Sequence, residues 1–258
     1  MAEAALENGE FLALAVDASK PVDQRSLPVD AAGGVLTGRV SAVLGADRAH
    51  KLVVPTKTSS GPALFLVDVG AAGVSVEPRS LVDKSRGVAE VALAGVSGVR
   101  LEVNATAVLS EAALRAAVLM AADSLGAMER MLELAVEYSK QRQQFGVPIG
   151  SFQAVKHAAA SLLVEVEAAK SMVYFAAASL DQEHPDRVLH AAAAKAQVTS
   201  AGQRCADTAL TMHGAIGYTW EHDLHLFYKR AKLNERLFGA PSVWNERIAS
   251  ALPLVAAG

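Results

Sequence analysis

Between Tyr138 and Gln153 the chain reads YSKQRQQFGVPIGSFQ, an arginine, a glutamine pair and an aromatic gathered at the end of an apolar-periodic run. At the end of a helix, the Arg142 cation complements the last carbonyls and the negative end of the macrodipole. As a binding group, its guanidinium fork can grip a diphosphate bidentately while Phe145 packs beside an adenine or a flavin ring. Residue types alone leave both readings open. A second segment, TMHGAIGY from Thr211 to Tyr218, places Gly214 and Gly217 at a junction between two helical stretches. A glycine there serves as a helix C-cap, and its missing side chain also lets a cofactor approach backbone N–H groups. Glu221-His222-x-x-His225 puts two imidazoles on one helix face. No third ligand has recognisable spacing, so these residues read as the polar edge of a bundle and no metal is expected.

The elements that must position these residues change character near residue 105. Before it, runs rich in valine, leucine and threonine (Val35–Val43, Lys51–Thr56, Ala63–Val67, Val74–Val76, Val88–Leu93 and Val99–Val103) alternate with Gly- and Ser-rich breaks. Short strands at this spacing predict a small antiparallel sandwich or barrel, with the continuous run Leu64–Val67 buried on both faces. After Ser110 the period becomes helical. Leu114, Val118, Ala121, Leu125, Met128, Leu132 and Ala135 follow a 3.5 repeat, and so does the series Phe152, Val155, Ala159, Leu162, Val166, Ala169, Val173, Ala176 and Leu180. Each stretch, roughly 45 Å long at the α-helical rise, predicts a narrow seam for antiparallel helices. Ser110 and Ser151 are the expected N-caps, and Phe145–Pro148 the stop after the first helix. Further helices are expected over about Asp186–His213, about Trp220–Phe238, and from Pro241. The predicted fold class is α+β: a β domain over 1–105, then a four- to five-helix up-down bundle over 106–258.

Of 258 residues, 52% are apolar and 20% charged, with a formal net charge of −3. This supports a packed core and excludes both disorder and a basic field for nucleic acid. Cys205 is the one cysteine, which excludes an internal disulfide and a multi-thiolate zinc site. The most apolar stretch, around Ala112–Met131, is broken by Arg115, Asp123, Glu129 and Arg130, and the start MAEAALENGEFLAL carries acids where a secretory signal carries bases. No membrane span and a cytoplasmic location are expected.

Taken together, RQQFGVPIGSFQ and MHGAIGYTWEHDLHLFYKRAK resemble the C-terminal half of the acyl-CoA dehydrogenases, and GGVLTGRVSAVLGADRAHKLVV with GPALFLVD is similar to their middle β domain. The resemblance implies FAD, oxidation of the Cα–Cβ bond of an acyl-CoA thioester, and an electron-transfer flavoprotein-type acceptor. It implies that Arg142, Gln144, Phe145 and Gln153, with Thr211, His213 and Gly214, reach across a dimer interface to the adenosine diphosphate half of a neighbour's FAD. The family often has glutamine where Thr211 stands. Lys229, Arg230, Lys232 and Arg236 would face a CoA phosphate or water, and Tyr218, Trp220, Phe227 and Tyr228 would fill the bundle and subunit interfaces.

The departures are as informative. Counting from Lys229-Arg230-Ala231-Lys232, the family's catalytic glutamate falls on Phe238, and its earlier alternative falls on Ala116. Neither accepts a proton, and Glu235 and Glu111 read as surface acids, so no catalytic residue is expected. Ser41-Ala42-Val43-Leu44 lacks the aromatic and the hydroxyl donor of the flavin-facing strand, and Gly239-Ala240 replaces a hydroxyl-bearing pair. The likeness begins at the helix-to-strand entry, Leu6 to Val16, without the N-terminal helical domain. These departures imply the base-lacking partner in a heterotetrameric acyl-CoA dehydrogenase, with a second subunit carrying the glutamate. By analogy with heteromeric members of this kind, the resemblance implies a bulky substrate such as a sterol side-chain CoA ester. The alternatives are a flavin-dependent monooxygenase of the same fold and a non-catalytic scaffold subunit.

Overall fold

The computed structural model describes residues 9–22 and 27–252. The acidic start and the first residues of the Leu6–Val16 entry lie outside them. The chain divides into two compact units, residues 1–113 and 114–258.

The first unit is an eight-stranded sheet. Its strands are β1 (Leu12–Leu14), β2 (Val29–Ala32), β3 (Val35–Leu44), β4 (Lys51–Thr58), β5 (Gly61–Asp68), β6 (Val74–Arg79), β7 (Val88–Ser97) and β8 (Val99–Leu101). They lie in the order β6-β7-β3-β2-β4-β5-β8, with β1 against β4. Most pairs are antiparallel, as expected, but β1 and β2 run parallel to β4, so the sheet is mixed. Period-two burial builds the core: Leu36, Val40 and Val43 of β3 point inward while Thr37, Arg39 and Ser41 face out. Gly38 is required by close packing, since a Cβ there would fall 2.4 Å from the Pro28 carbonyl oxygen. Strand β5 is buried on both faces, as its continuous apolar run predicts. Ala63, Phe65 and Val67 join the main core, while Leu64 packs with Ala105 and Leu109.

Five helices follow: α1 (Ala105–Gln141), α2 (Gln153–Asp181), α3 (Arg187–His213), α4 (Leu224–Arg236) and α5 (Pro241–Ala251). The expected caps are corrected. Helix α1 starts before Ser110, where Asn104 Oδ1 accepts the Ala107 N–H at 3.1 Å. Ser151 lies in a short 3-10 turn with its hydroxyl donating to the Pro148 carbonyl, and α2 follows Phe152 without a side-chain cap. Both 3.5-residue seams are realised, with Ala121, Met128, Ala135, Leu162, Val166 and Ala176 in one core; Phe152 is the exception, 37% exposed. Helix α1 is long and apolar enough to cross a membrane by length and composition, but Leu114, Val118, Leu125 and Met131 are committed to that core.

A polar network runs through this core. Asn234 donates to Asp123 and to Ser124, and Arg230 grips Asp123 at 3.0 and 3.2 Å. Lys195 is fully buried and donates to the carbonyls of Asn234 (2.9 Å) and Glu235 (3.2 Å). Those are two of the last carbonyls of α4, which have no partner within their own helix. Burial pulls the Lys195 ammonium down to about 8.

Candidate functional site

The first long helix ends by turning sharply. The Arg142 amide still donates to Tyr138, and the Arg142 carbonyl then accepts from Ile149, closing a small hairpin of β9 (Gln143–Gln144) and β10 (Val147–Pro148). At its tip Phe145 and Gly146 both have positive φ, 55° and 79°, the geometry of a type I′ turn. Glycine takes that state freely, whereas phenylalanine is strained in it. The ring is nevertheless 92% exposed, held only edge-on against Phe152 with centroids 6.1 Å apart.

This corner faces the junction after α3 across an open groove of about 460 Å³. Arg142, Gln144, Thr211, His213 and Gly214 line it, so the structure brings together five of the seven expected site residues. Phe145 and Gln153 lie outside its lining. Among the described residues, none pairs with the side chains of Arg142, Gln144 or Gln153, and all three are exposed. Thr211 is also exposed, its hydroxyl donating to the Asp207 carbonyl.

His213 is placed differently from an open ligand group. It is 3% exposed, its Nδ1–H donates to the Ala209 carbonyl at 2.7 Å, and Nε2 is buried with no hydrogen-bond partner. Burial holds its pKa below the ordinary histidine value, outweighing the Ala209 bond. The ring stacks on Tyr138 at 4.8 Å and meets His222 edge-on at 4.6 Å. It therefore builds a wall of the groove. Tyr138 and His222 complete this ring cluster; the sequence reading assigned Tyr138 no role and placed His222 at the polar edge of the bundle.

The two glycines divide their duties. Gly214 closes α3, at φ 65° and ψ −142°, with its N–H already donating to the Leu210 carbonyl. That amide is not free for a ligand. Gly217 is closely packed: a Cβ there would come 2.9 Å from Leu210 Cδ1 and 3.1 Å from His213 Cβ.

Other expectations are corrected by ion pairing and exposure. Arg230 is bound to Asp123, Lys232 to Asp207 at 2.9 Å, and Lys229 lies 3.8 Å over the Trp220 ring. Only Arg236 of the basic cluster stays largely in solvent. Of the four aromatics expected to fill the bundle and subunit interfaces, Phe227 and Tyr228 pack against the helical core, while Tyr218 and Trp220 are 75% and 77% exposed in the single chain. Glu235 is more enclosed than a surface acid, its side chain 19% exposed and 3.7 Å from Arg236.

Phe238 follows α4 at φ 56°, is 9% exposed, and its carbonyl accepts Trp244 Nε1–H at 3.1 Å. In the β unit, Ser41 and Ala42 fall in a β-bulge between Val40 and Val43. Ser41 lines a separate cavity of about 370 Å³ with Asp17, Lys20 and Arg39. The charged walls are paired internally, Lys20 with Asp17 and Arg39 with Glu90.

Residues 106–252 match the family described as "Acyl-CoA dehydrogenase, C-terminal domain". The chain belongs to the acyl-CoA dehydrogenase family. This acyl-CoA dehydrogenase family member is 43% identical over 135 residues to the acyl-CoA dehydrogenase IpdE2 of Mycobacterium tuberculosis (strain ATCC 25618 / H37Rv), which covers 52% of this chain and 41% of that relative. The chain thus spans less than half the length of that relative. The crystal structure of the ChsE4–ChsE5 complex from Mycobacterium tuberculosis superposes with a TM-score of 0.86 at 29% identity, covering 98% of this chain and 69% of that one. A Tcur3481–Tcur3483 "steroid ACAD" G363A variant gives 0.81 at 25% identity, covering 95% and 68%. The fold is that of acyl-CoA dehydrogenases from the middle β domain onward.

Proposed function

We propose that this chain is the base-lacking subunit of a heterotetrameric, FAD-dependent acyl-CoA dehydrogenase. It would hold the adenosine diphosphate half of an FAD whose ring lies with a second, glutamate-bearing subunit. Residues 1–105 would be its middle β domain and 106–258 its helical domain, in a cytoplasmic protein served by an electron-transfer flavoprotein-type acceptor. One contrast carries the reading: an open corner of unpaired polar side chains at Arg142, Gln144 and Gln153, against a buried phenylalanine at the position of the family's base.

The residues present fit such a group. Arg142 would fork onto the diphosphate, Gln144 and Gln153 would donate to its oxygens or to the ribose, and Phe145 would lay its exposed ring on a flat heterocycle. Thr211 and the Gly214 turn would line the same groove, with the Tyr138–His213 stack as its wall. When bound, FAD supplies the acceptor for the hydride that leaves as the acyl-CoA Cα–Cβ bond is oxidised. Phe238 can move no proton, so the base must come from the partner. Similar structures include a two-component complex and a steroid enzyme, which supports a partner of the same family and a bulky, sterol-type acyl-CoA substrate.

The test is cofactor stoichiometry. Purified with its partner, the assembly should hold one FAD per two chains, and Arg142→Ala should deplete it. Stoichiometric FAD on the solitary chain, or unaided dehydrogenation of an acyl-CoA, would overturn the proposal. Unchanged flavin in the Arg142→Ala complex would favour a scaffold role.

A further inference from the structure

The turn between α2 and α3 folds back on itself. The His184 N–H donates to the Ser179 carbonyl at 2.9 Å and the Glu183 N–H to Leu180 at 3.2 Å, the paired bonds of a Schellman closure. That closure needs a left-handed residue after the helix, and Glu183 occupies it at φ 50° where glycine is usual. The fold-back sets His184 beside the start of α3. Its ring centroid lies 5.0 Å from that of His190. Together with the Asp186 carboxylate, the two imidazoles offer ligand atoms all within 4.8 Å of one another.

His190 is set up for ligation. Its Nδ1 lies 2.7 Å from the hydroxyl of Ser179, itself 4% exposed. With Nδ1–H donating to that hydroxyl, Nε2 keeps its lone pair, the arrangement found in metal-bound imidazoles. The Phe175 ring, 4.6 Å away, restricts its rotation. Asp186 and His184 are exposed, leaving remaining coordination positions to water. His184 differs from its partner: its Nδ1 accepts the Asp186 N–H at 3.1 Å. It must exchange that bond for the metal, which makes it the weakest of the three ligands.

We propose that His184, Asp186 and His190 bind one divalent transition-metal ion of the zinc or nickel type. Two imidazoles and one carboxylate suit such ions, whereas magnesium and calcium favour all-oxygen sets. None of the three residues lines the Arg142 groove, so the site stands apart from the flavin reading. The ion would pin the α2–α3 corner across its strained residue.

Zn²⁺ or Ni²⁺ alone, titrated into the tag-free full chain by calorimetry and checked by equilibrium dialysis, should saturate at one ion per chain. His190→Ala should abolish saturation, and Asp186→Asn should weaken it strongly. His184→Ala should weaken it less, and Ser179→Ala about tenfold through loss of the orienting bond. At about a hundredfold excess over Kd, the metal should raise Tm by roughly 5 °C, and the rise should vanish in His184→Ala/His190→Ala. His184 and Asp186 are exposed, so their variants report on binding even if His190→Ala perturbs the fold. Absence of saturable binding would overturn the proposal. So would affinity kept within about threefold by the double variant, or loss of the ion on His222→Ala instead.

Discussion

Phe145, at the tip of the β9–β10 hairpin, and Phe238, in the turn that closes α4, both sit in the left-handed region, at φ 55° and 56°. For a residue with a side chain that conformation costs about 1–2 kcal/mol. At Phe238 the cost is offset inside the chain: the ring is buried, Trp244 holds its carbonyl, and Lys195 ties down the preceding carbonyls of α4. At Phe145 no such partner is found among the described residues: the ring is 92% exposed and meets Phe152 edge-on. One strained turn is complete by itself. The other leaves its ring in solvent beside Arg142, Gln144 and Gln153, the exposed corner on which the proposed function rests.

The comparison breaks most visibly at Trp244. Truncating this fully buried ring in Trp244→Ala should lower unfolding stability by about 4 kcal/mol in urea titrations; a loss under 1 kcal/mol would mean the Phe238 turn is not held as described. Lys195 comes next. Its folded pKa of about 8 lies below the ordinary 10.5, so the unfolded chain binds more protons between those values and stability rises with pH across them. The rise should reach about 2–3 kcal/mol and be missing in Lys195→Met. The two phenylalanines should then respond with opposite sign to one substitution. Phe238→Gly should cost about 2–3 kcal/mol, packing loss exceeding strain relief, whereas Phe145→Gly should gain up to about 1 kcal/mol. Thermal and urea unfolding of both variants checks this; equal signs would end the contrast. Smallest is Arg142→Ala, which should change unfolding by less than about 0.5 kcal/mol.

Much of this was legible because the core obeys simple periods. The repeat from Leu114 to Ala135 located α1, and the Val-rich runs located β3 to β8. Residue pattern did not mark β1 or β2, because LAL and VDAA are too short to show alternation and one carries Asp30; β1 falls in the strand entry that the family resemblance gave, while β2 is a strand because β3 pairs with it along its whole length. The first cap was misplaced because Ser110 has the right chemistry while Asn104, six residues earlier, has both the chemistry and the geometry. In the groove, Arg142, Gln144, Thr211 and Gly214 were legible from their segments. The stacking of Tyr138, His213 and His222 was not, since it joins three separate stretches of chain. Lys195 did leave a signal: a lone charge in HAAAAKAQV, four residues after the buried Ala191. The basic run after Phe227 looked free only because its partners, Asp123 and Asp207, lie on other helices.

The parallel placement of β1 and β2 against β4 has a kinetic consequence. Leu12 pairs with Lys51, Val35 with Ser97 and Leu64 with Leu101, so the sheet closes only after long loops have been brought together. The backbone hydrogen bonds of the helices span only four residues, so helical secondary structure is favoured to form first. During refolding the α-helical signal should therefore recover before the burial of Phe65, and until then the open edge of β4 is where this chain is most prone to mispair with another.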